Sequence, residues 1–484
     1  MYGFPFKHIA IKVRTVFALV VRRIQRMIWG INHTIHREWL DRFVFHESGQ
    51  GVVEFEHMQI GVDWQLVQTR SGNLFVLVRG NGTTELGQPD LQIMPFVGES
   101  PKKLLAHDDR WSTRVTLRDW VRSAHPKATD EGWLTISADN AERARKDAVA
   151  TTHRFALTNL VLSEVFDVDQ QCAGTRLSWR SVDDYENAAA ELRTLHRHAI
   201  TATLTIAKAD QAQASAIADI ACELASYSRG CRVSWAYVEG LDAEGSVVSL
   251  FIGNPISGPY VPLVLIGAEA MWPFIEQTWQ PYARFRSENR ASARRLLGLL
   301  TNATTDDDFT ELRGAKLGMT IDAVVTIVTG NKIDALPFQS NAARREFVER
   351  FRVFVATELP PLLKEDLTND AKDALARAIG AKAGDILRPT FRNAIKQVCQ
   401  AISINVSDTE IKQFAHSRNQ LIHEARFVCQ MDAPPEDWPF KTAAEEYFWM
   451  LRFLDRIVLR FIGYRGAFFD RFLRDHSEVP VEPE

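Results

Sequence analysis

The alternation of apolar and polar residues changes once along the chain, near Ile266. Over residues 52–267 most short runs alternate with a period of two and are separated by turn residues, which is typical of β-strands. Examples are WQLVQTRSGNLFVLVRGNG, with a predicted turn at 71–73, and the runs ITATLTIA, CRVSWAYVEG and SVVSLFIGNP. One amphipathic helix, ADQAQASAIADIACELASYSRG, is predicted to stop at Gly230. This half therefore predicts an α+β region dominated by antiparallel strands.

Beyond residue 267 the apolar positions recur at helical spacing almost to Arg474. Gly, Asn and Pro residues divide the helical segments and are expected to end them. The pattern predicts a connecting helix over 268–304 and a helical bundle over 305–474. The last residues, 475–484, are polar and contain proline, so disorder is expected there. The predicted fold class is α+β and multidomain: a mainly antiparallel β or α+β region at 51–267, followed by an all-α bundle.

The first 50 residues form a separate region, because residues 1–30 contain six basic residues and no acidic one. We predict a basic amphipathic helix region over 1–50. It would either pack on the rest of the protein or lie on a membrane, on RNA or on a partner. The longest apolar run, Val16–Val21, is too short to span a bilayer, and no small-residue cleavage site follows it. No stable membrane span is therefore expected.

Composition limits the kinds of site to expect. The 484 residues include 57 Lys and Arg against 61 Asp and Glu, so any nucleic-acid contact must come from a local patch. The five cysteines are scattered, without a CxxC pair or a Cys/His grouping at metal-ligand spacing. They are typical of a cytoplasmic protein with reduced thiols and predict no metal site. Nothing resembles a phosphate-binding glycine loop, so no cofactor is expected.

The segment HSRNQLIHEARF, residues 416–427, carries polar residues inside an apolar-faced helix. On a helical wheel, residues such as Phe414 and Leu421 fall on one arc, and Arg418 falls near the middle of that arc. A guanidinium buried there without a partner would be costly. Arg418 therefore needs either a partner or a function.

Several interpretations of these polar residues remain open. Arg418 could pair with a carboxylate such as Asp322 or Glu424, or turn outward where the helix bends. Asn419 and His423, four positions apart, share a neighbouring face, either as a surface hydrogen-bonded pair or as parts of a site.

The Arg-to-His spacing alone does not choose between these interpretations. An Arg followed by His after four to six intervening residues occurs five times: Arg26/His33, Arg118/His125, Arg193/His198, Arg418/His423 and Arg471/His476. Only Arg418/His423 combines a polar residue directly after the Arg with a position inside the predicted helical bundle.

In this context the C-terminal third resembles the HEPN superfamily, in particular the Apea-like HEPN domains that follow a β-rich N-terminal domain. The hallmark of that family is Arg, a polar residue that is often Asn, and a later His, and RNQLIH matches it. TFRNAIKQVCQAISINVSDTEIKQFAHSRNQLIHEARF resembles the family's helix, turn and motif helix, and LDRIVLRFIGYRGAFFDRF resembles its closing helix. The resemblance covers about residues 305–474, is weaker over 200–300, and is absent over 1–50.

The resemblance implies a metal-independent endoribonuclease, in which a ribose 2′-OH attacks the adjacent phosphate and leaves a 2′,3′-cyclic phosphate. It implies that His423 transfers a proton and that Arg418 stabilises charge on the phosphate. Asn419 would orient His423 or the phosphate. Asp322 is a supporting candidate, because related domains often carry an acidic residue on the first bundle helix.

The resemblance also implies partners. A single His per motif implies a homodimer through the helical bundle, which brings two motifs into one cleft. The substrate would be RNA, with tRNA among the candidates, in bacterial anti-phage defence or a toxin-like role, and a protein trigger would act through the N-terminal domain. The competing interpretation is a non-catalytic HEPN binding or scaffold protein that senses or regulates through RNA or protein contacts. A membrane-associated regulator rests on residues 1–30 alone.

Overall fold

The computed structural model of the chain describes most residues after position 42. The described stretches are 43–55, 59–69, 74–80, 102–107, 110–117, 134–195, 199–253, 260, 262–305, 309–329, 341–363, 367–381, 390–473 and 477–481. Residues 1–42 lie outside these stretches, and most of the basic helix region predicted over 1–50 falls there. Residues 43–50 already belong to a β-strand, so the predicted helix region does not reach residue 50.

The chain divides into two compact units. The first comprises Met1–Asp169, Thr175–Ala218 and Val233–Tyr260. The second comprises Gln170–Gly174, Asp219–Arg232 and Val261–Glu484.

Antiparallel strands dominate the first half of the chain, as the period-two pattern predicts. They form a 12-stranded sheet in the order β3-β2-β1-β4-β5-β6-β12-β11-β7-β10-β9-β8. The strands are β1 (Phe43–Glu54), β2 (Gln59–Thr69), β3 (Leu74–Gly80), β4 (Lys103–His107), β5 (Trp111–Leu117), β6 (Leu134–Arg145), β7 (Thr152–Thr158), β8 (Asp167–Cys172), β9 (Thr175–Ser181), β10 (Ile200–Ala207), β11 (Ser234–Leu241) and β12 (Val247–Ile252).

The first six strands close into a barrel, because β3 pairs with β6 as well as with β2. Along β2, the residues Val62, Trp64 and Leu66 are at most 4% exposed, whereas Asp63 and Gln65 between them are half-buried. Successive strand residues point to opposite faces, so this alternation fills the barrel interior with apolar side chains. The predicted pairing of β2 with β3 is confirmed, and its turn lies outside the described residues.

Two helices interrupt the strands, α1 (Tyr185–Leu195) and α2 (Gln211–Arg229). The predicted end of α2 at Gly230 is confirmed: Gly230 has φ +61°, a left-handed conformation that favours glycine. A Cβ at this position would lie 1.9 Å from the carbonyl oxygen of Leu263, which is a second reason for glycine there.

Helices dominate the chain after residue 270. They are α3 (Met271–Glu288), α4 (Arg290–Thr305), α5 (Thr310–Thr329), α6 (Asn341–Glu358), α7 (Asn369–Ala381), α8 (Phe391–Ala401), α9 (Asp408–Glu424) and α10 (Ala443–Phe461), with short 3₁₀ turns at Pro360–Leu362 and Val428–Gln430. The fold class is therefore α+β and multidomain, as predicted. The single connecting helix predicted over 268–304 is two helices, because Asn289 leaves the helical conformation with φ −141°. None of the described helices combines the length and the apolar character needed to cross a membrane.

Helix α5 is the central helix of the second unit, since it contacts α4, α8, α9 and α10. Its buried residues Leu317, Ile321 and Val324 are fully enclosed by these neighbours. Helix α5 carries Asp322, and the neighbouring α9 carries Arg418, Asn419 and His423.

The predicted disorder of 475–484 is wrong for part of that segment. Glu478–Pro480 form strand β14, which pairs with β13 at Ala467–Phe469. Val481 next to it is only 1% exposed. The apolar valines of this tail thus gain burial that its proline and acidic content did not indicate.

Candidate functional site

Helix α9 begins and ends at residues that specify its boundaries. The side chain of Ser407 accepts a hydrogen bond from the backbone N–H of Glu410, and the Glu410 carboxylate accepts one from the backbone N–H of Ser407, which is a capping box. The helix ends at Glu424, and Ala425 adopts a left-handed conformation with φ +53°. The helical wheel also places Ala425, Val428 and Cys429 on the apolar arc, but the helix ends before them.

One face of α9 is buried against the bundle. Ile411, Phe414 and Leu421 are at most 3% exposed, and the Phe414 ring stacks on Phe453 of α10 with ring centroids 4.6 Å apart. This packing fixes the rotation of α9 about its axis. Arg418 consequently lies where the buried face meets the surface.

Arg418 contacts one residue on each of two neighbouring helices and one on its own helix, and its side chain is 19% exposed. Its Nη2 lies 2.6 Å from Oδ2 of Asp322 on α5, and its Nη1 donates to Oδ1 of Asn419 over 3.2 Å. The guanidinium carbon lies 4.8 Å from the ring centroid of Phe391 on α8, within cation–π range. Of the two carboxylates predicted as partners, Asp322 is the one in contact, whereas Glu424 pairs with Arg426.

The close approach of α5 to α9 depends on two glycines of α5. A Cβ at Gly318 would lie 3.0 Å from Cγ of Arg418, and a Cβ at Gly314 would lie 2.9 Å from Cδ1 of Leu421 and 2.7 Å from Cζ of Phe427. The absence of side chains at these positions therefore lets Arg418 lie against α5, within reach of Asp322.

Replacing Gly314 with Ala is expected to lower the free energy of unfolding by about 1–3 kcal/mol. The added methyl group must displace Phe427, which is fully buried. The matched control is Gly298→Ala in α4, where nothing lies within 4 Å, so higher helix propensity should raise the free energy by up to about 1 kcal/mol. Chemical denaturation followed by circular dichroism measures both, and equal effects would contradict the close packing of α5 on α9.

His423 and Asn419 are exposed on α9, one helical turn apart. Asn419 contacts Arg418, and His423 has no hydrogen bond to any residue that the structure describes. The structure therefore brings Arg418, Asn419 and Asp322 together, and it leaves the imidazole of His423 open to solvent on the last turn of the same helix.

A second group next to α9 was not predicted from the sequence. Glu446 on α10 is fully buried and accepts hydrogen bonds from the backbone N–H groups of Val428 and Cys429 and from Nε1 of Trp438. These hydrogen bonds hold the segment 428–438, which follows α9, against α10. The sequence contains a pattern that could have predicted this group. Glu446 lies on the apolar arc of its helix, as Arg418 does, and a buried carboxylate needs hydrogen-bond donors.

The described stretches contain no group of three or more His, Cys, Asp or Glu side chains arranged to hold a metal ion. Comparisons of the chain with protein-family models, with curated proteins and with solved structures gave no match.

Proposed function

We propose that this protein is a metal-independent endoribonuclease of the HEPN type. The arrangement on α9 carries the proposal: a partly exposed Arg418 is bonded to Asn419 and Asp322, and an exposed His423 lies on the same helix. Arginine offers a permanent charge in a geometry that matches phosphate, and histidine exchanges protons near neutral pH. Charge stabilisation at phosphate and proton transfer are two of the functions that metal-independent cleavage of an RNA backbone uses.

In the proposed reaction the 2′-OH of a ribose loses its proton to a base, and the 2′-oxygen bonds to the adjacent phosphorus. The bond from phosphorus to the 5′-oxygen breaks, and that oxygen takes up a proton. His423 would act at one of these two proton transfers, and Arg418 would stabilise the negative charge that develops on the phosphate oxygens. Asp322 would keep the guanidinium in place, and Asn419 would orient it by hydrogen bonding.

The Arg418–Asp322 contact also favours a second candidate, a non-catalytic HEPN binding or scaffold protein. A carboxylate 2.6 Å from the guanidinium neutralises it and would repel an incoming phosphate. In that case the contact between α5 and α9 would serve stability alone. The two candidates differ in whether RNA is cleaved at all.

The experiment that decides is incubation of the purified full-length protein with total tRNA and with mRNA in EDTA. Cleavage that leaves 2′,3′-cyclic phosphate ends, and that is lost in Arg418→Ala, supports the proposal. Intact RNA after incubation with folded wild-type protein, together with measurable RNA binding, would favour the scaffold.

The biological role that we propose is bacterial anti-phage defence or a toxin-like function, with a protein trigger received by the first half of the chain.

We further propose that the active form is a homodimer through the helical bundle, because one His423 per chain leaves the second proton transfer unassigned. Exposed apolar side chains on α5 and α9 support this, since Met319 is 50% exposed and Ile422 is 40% exposed. The side chain of Ile422 lies 3.8 Å from the Cβ position of Gly318, beside Arg418.

Light scattering is therefore expected to give twice the chain mass of 54.8 kDa. Ile422→Glu should shift the protein toward the monomer and reduce cleavage, because a charge would be buried in the interface. Leu362→Glu is the matched control, since Leu362 is 80% exposed in the 3₁₀ turn after α6. A wild-type protein that is monomeric at micromolar concentration and still cleaves RNA would contradict the dimer.

A further inference from the structure

The solvent-facing side of α9 carries a second histidine in line with the first. His416 precedes His423 by seven residues, which is two helical turns and about 10.5 Å along the axis. Lys412 lies one turn before His416, is exposed, and forms no ion pair with residues in the described part of the chain. The acidic residues at the two ends, Glu410 and Glu424, are each paired with an arginine at 2.9 and 2.7 Å. Between them this side carries no negative charge.

An aromatic platform lies beside His416. The partly exposed indole of Trp438 has its ring centroid 5.3 Å from that of His416, with an interplanar angle of 74°. Its Nε1 donates to Glu446 over 3.1 Å, and Glu446 is fully buried. The indole is therefore held in one orientation before any ligand binds. Stacking on it then costs less conformational entropy of the Trp438 side chain.

Charge near Trp438 indicates which part of a nucleotide fits there. Glu436 and Asp437 precede the indole directly and are both exposed. Two carboxylates would repel a phosphate, but they do not oppose a neutral nucleobase. Phosphates would instead lie toward Lys412 and His423, which share this side of α9 and have no carboxylate between them on the helix.

We propose that Trp438 and His416 form a stacking subsite for a nucleobase of single-stranded RNA, next to the scissile bond and not at it. The proposal rests on the proposed function, since it takes RNA as the ligand of α9. Stacking on an aromatic side chain requires an unpaired base and tolerates any base identity. The substrate class that follows is single-stranded RNA or a loop, with weak sequence preference at this position.

The test uses the full-length His423→Ala protein, which would bind RNA without cutting it, and a labelled single-stranded RNA oligonucleotide. Fluorescence anisotropy is expected to show that Trp438→Ala in this background weakens binding about five- to hundredfold. Trp438→Phe should recover most of the affinity, because a phenyl ring also stacks. Trp272→Ala, which removes another partly buried indole, on α3, should leave the affinity unchanged.

A scan of abasic positions in the same RNA identifies the stacked base. One abasic position should weaken binding by about as much as Trp438→Ala, and the two changes should not be additive. If Trp438→Ala does not fold, the abasic scan on the parent protein alone still tests the subsite. Equal affinity in Trp438→Ala and Trp272→Ala, no single sensitive base, or no RNA binding by the folded parent would overturn the subsite. Loss of binding in Trp438→Ala with no cleavage by wild type would leave the subsite standing and reject the nuclease.

Discussion

Replacing His423 with Ala is expected to slow RNA cleavage about 100- to 10,000-fold, because the reaction loses a group that transfers a proton. The free energy of unfolding should change by no more than about 0.5 kcal/mol. His423 is exposed on the last turn of α9, so its removal opens no cavity and strands no buried partner. Single-turnover cleavage and chemical denaturation measure the two effects.

The matched control is His107→Ala, which removes an exposed histidine at the end of β4 and should leave cleavage unchanged. An RNA with 2′-deoxyribose at the scissile position should resist the wild-type protein, because the nucleophile is missing. Full activity in a folded His423→Ala protein, or cleavage of the deoxy substrate, would reject the proposed mechanism.

Local patterns in the sequence predicted about half of the strands of the main sheet and most of the helices, but not β1, β4, β5, β6, β8, β9 or α1. ITATLTIA is β10 in full, and the start of α9 follows from the capping box of Ser407 and Glu410. These features depend on neighbouring residues, so the sequence shows them directly. The closure of the barrel by β3 and β6 joins strands far apart in the chain, and no local pattern indicates it.

The candidate site also combines features that local sequence shows with contacts between segments far apart in the chain. The helical wheel predicted that Arg418 needs a partner, and it offered both Asp322 and Glu424. The contact with Asp322 depends on the close approach of α5, which Gly318 permits, and Glu424 pairs with Arg426 instead. Phe391 beside Arg418 and Trp438 beside His416 come from segments whose positions only the tertiary structure determines.

Arg418 and Asp322 are expected to differ sharply in their effects on cleavage, although they form one ion pair. Arg418→Ala should lower cleavage about 100- to 1,000-fold, because it removes the charge that stabilises the phosphate in the transition state. Its cost in stability should be about 1 kcal/mol, since Asp322 is 40% exposed and can be hydrated once the guanidinium is gone.

Asp322→Asn keeps an oxygen that can accept from Arg418 and removes only the negative charge. If Asp322 positions the guanidinium, cleavage should fall by less than about tenfold, because Asn419 and Phe391 still hold Arg418. Arg418→Lys tests the geometry separately, since lysine keeps the charge but cannot make the paired contacts of a guanidinium, and it should stay well below wild type. All three variants should keep a cooperative thermal transition and the wild-type oligomeric state. Equal losses in Arg418→Ala and Asp322→Asn would mean that the pair acts as one unit in the reaction, and undiminished cleavage in folded Arg418→Ala would make the pair purely structural.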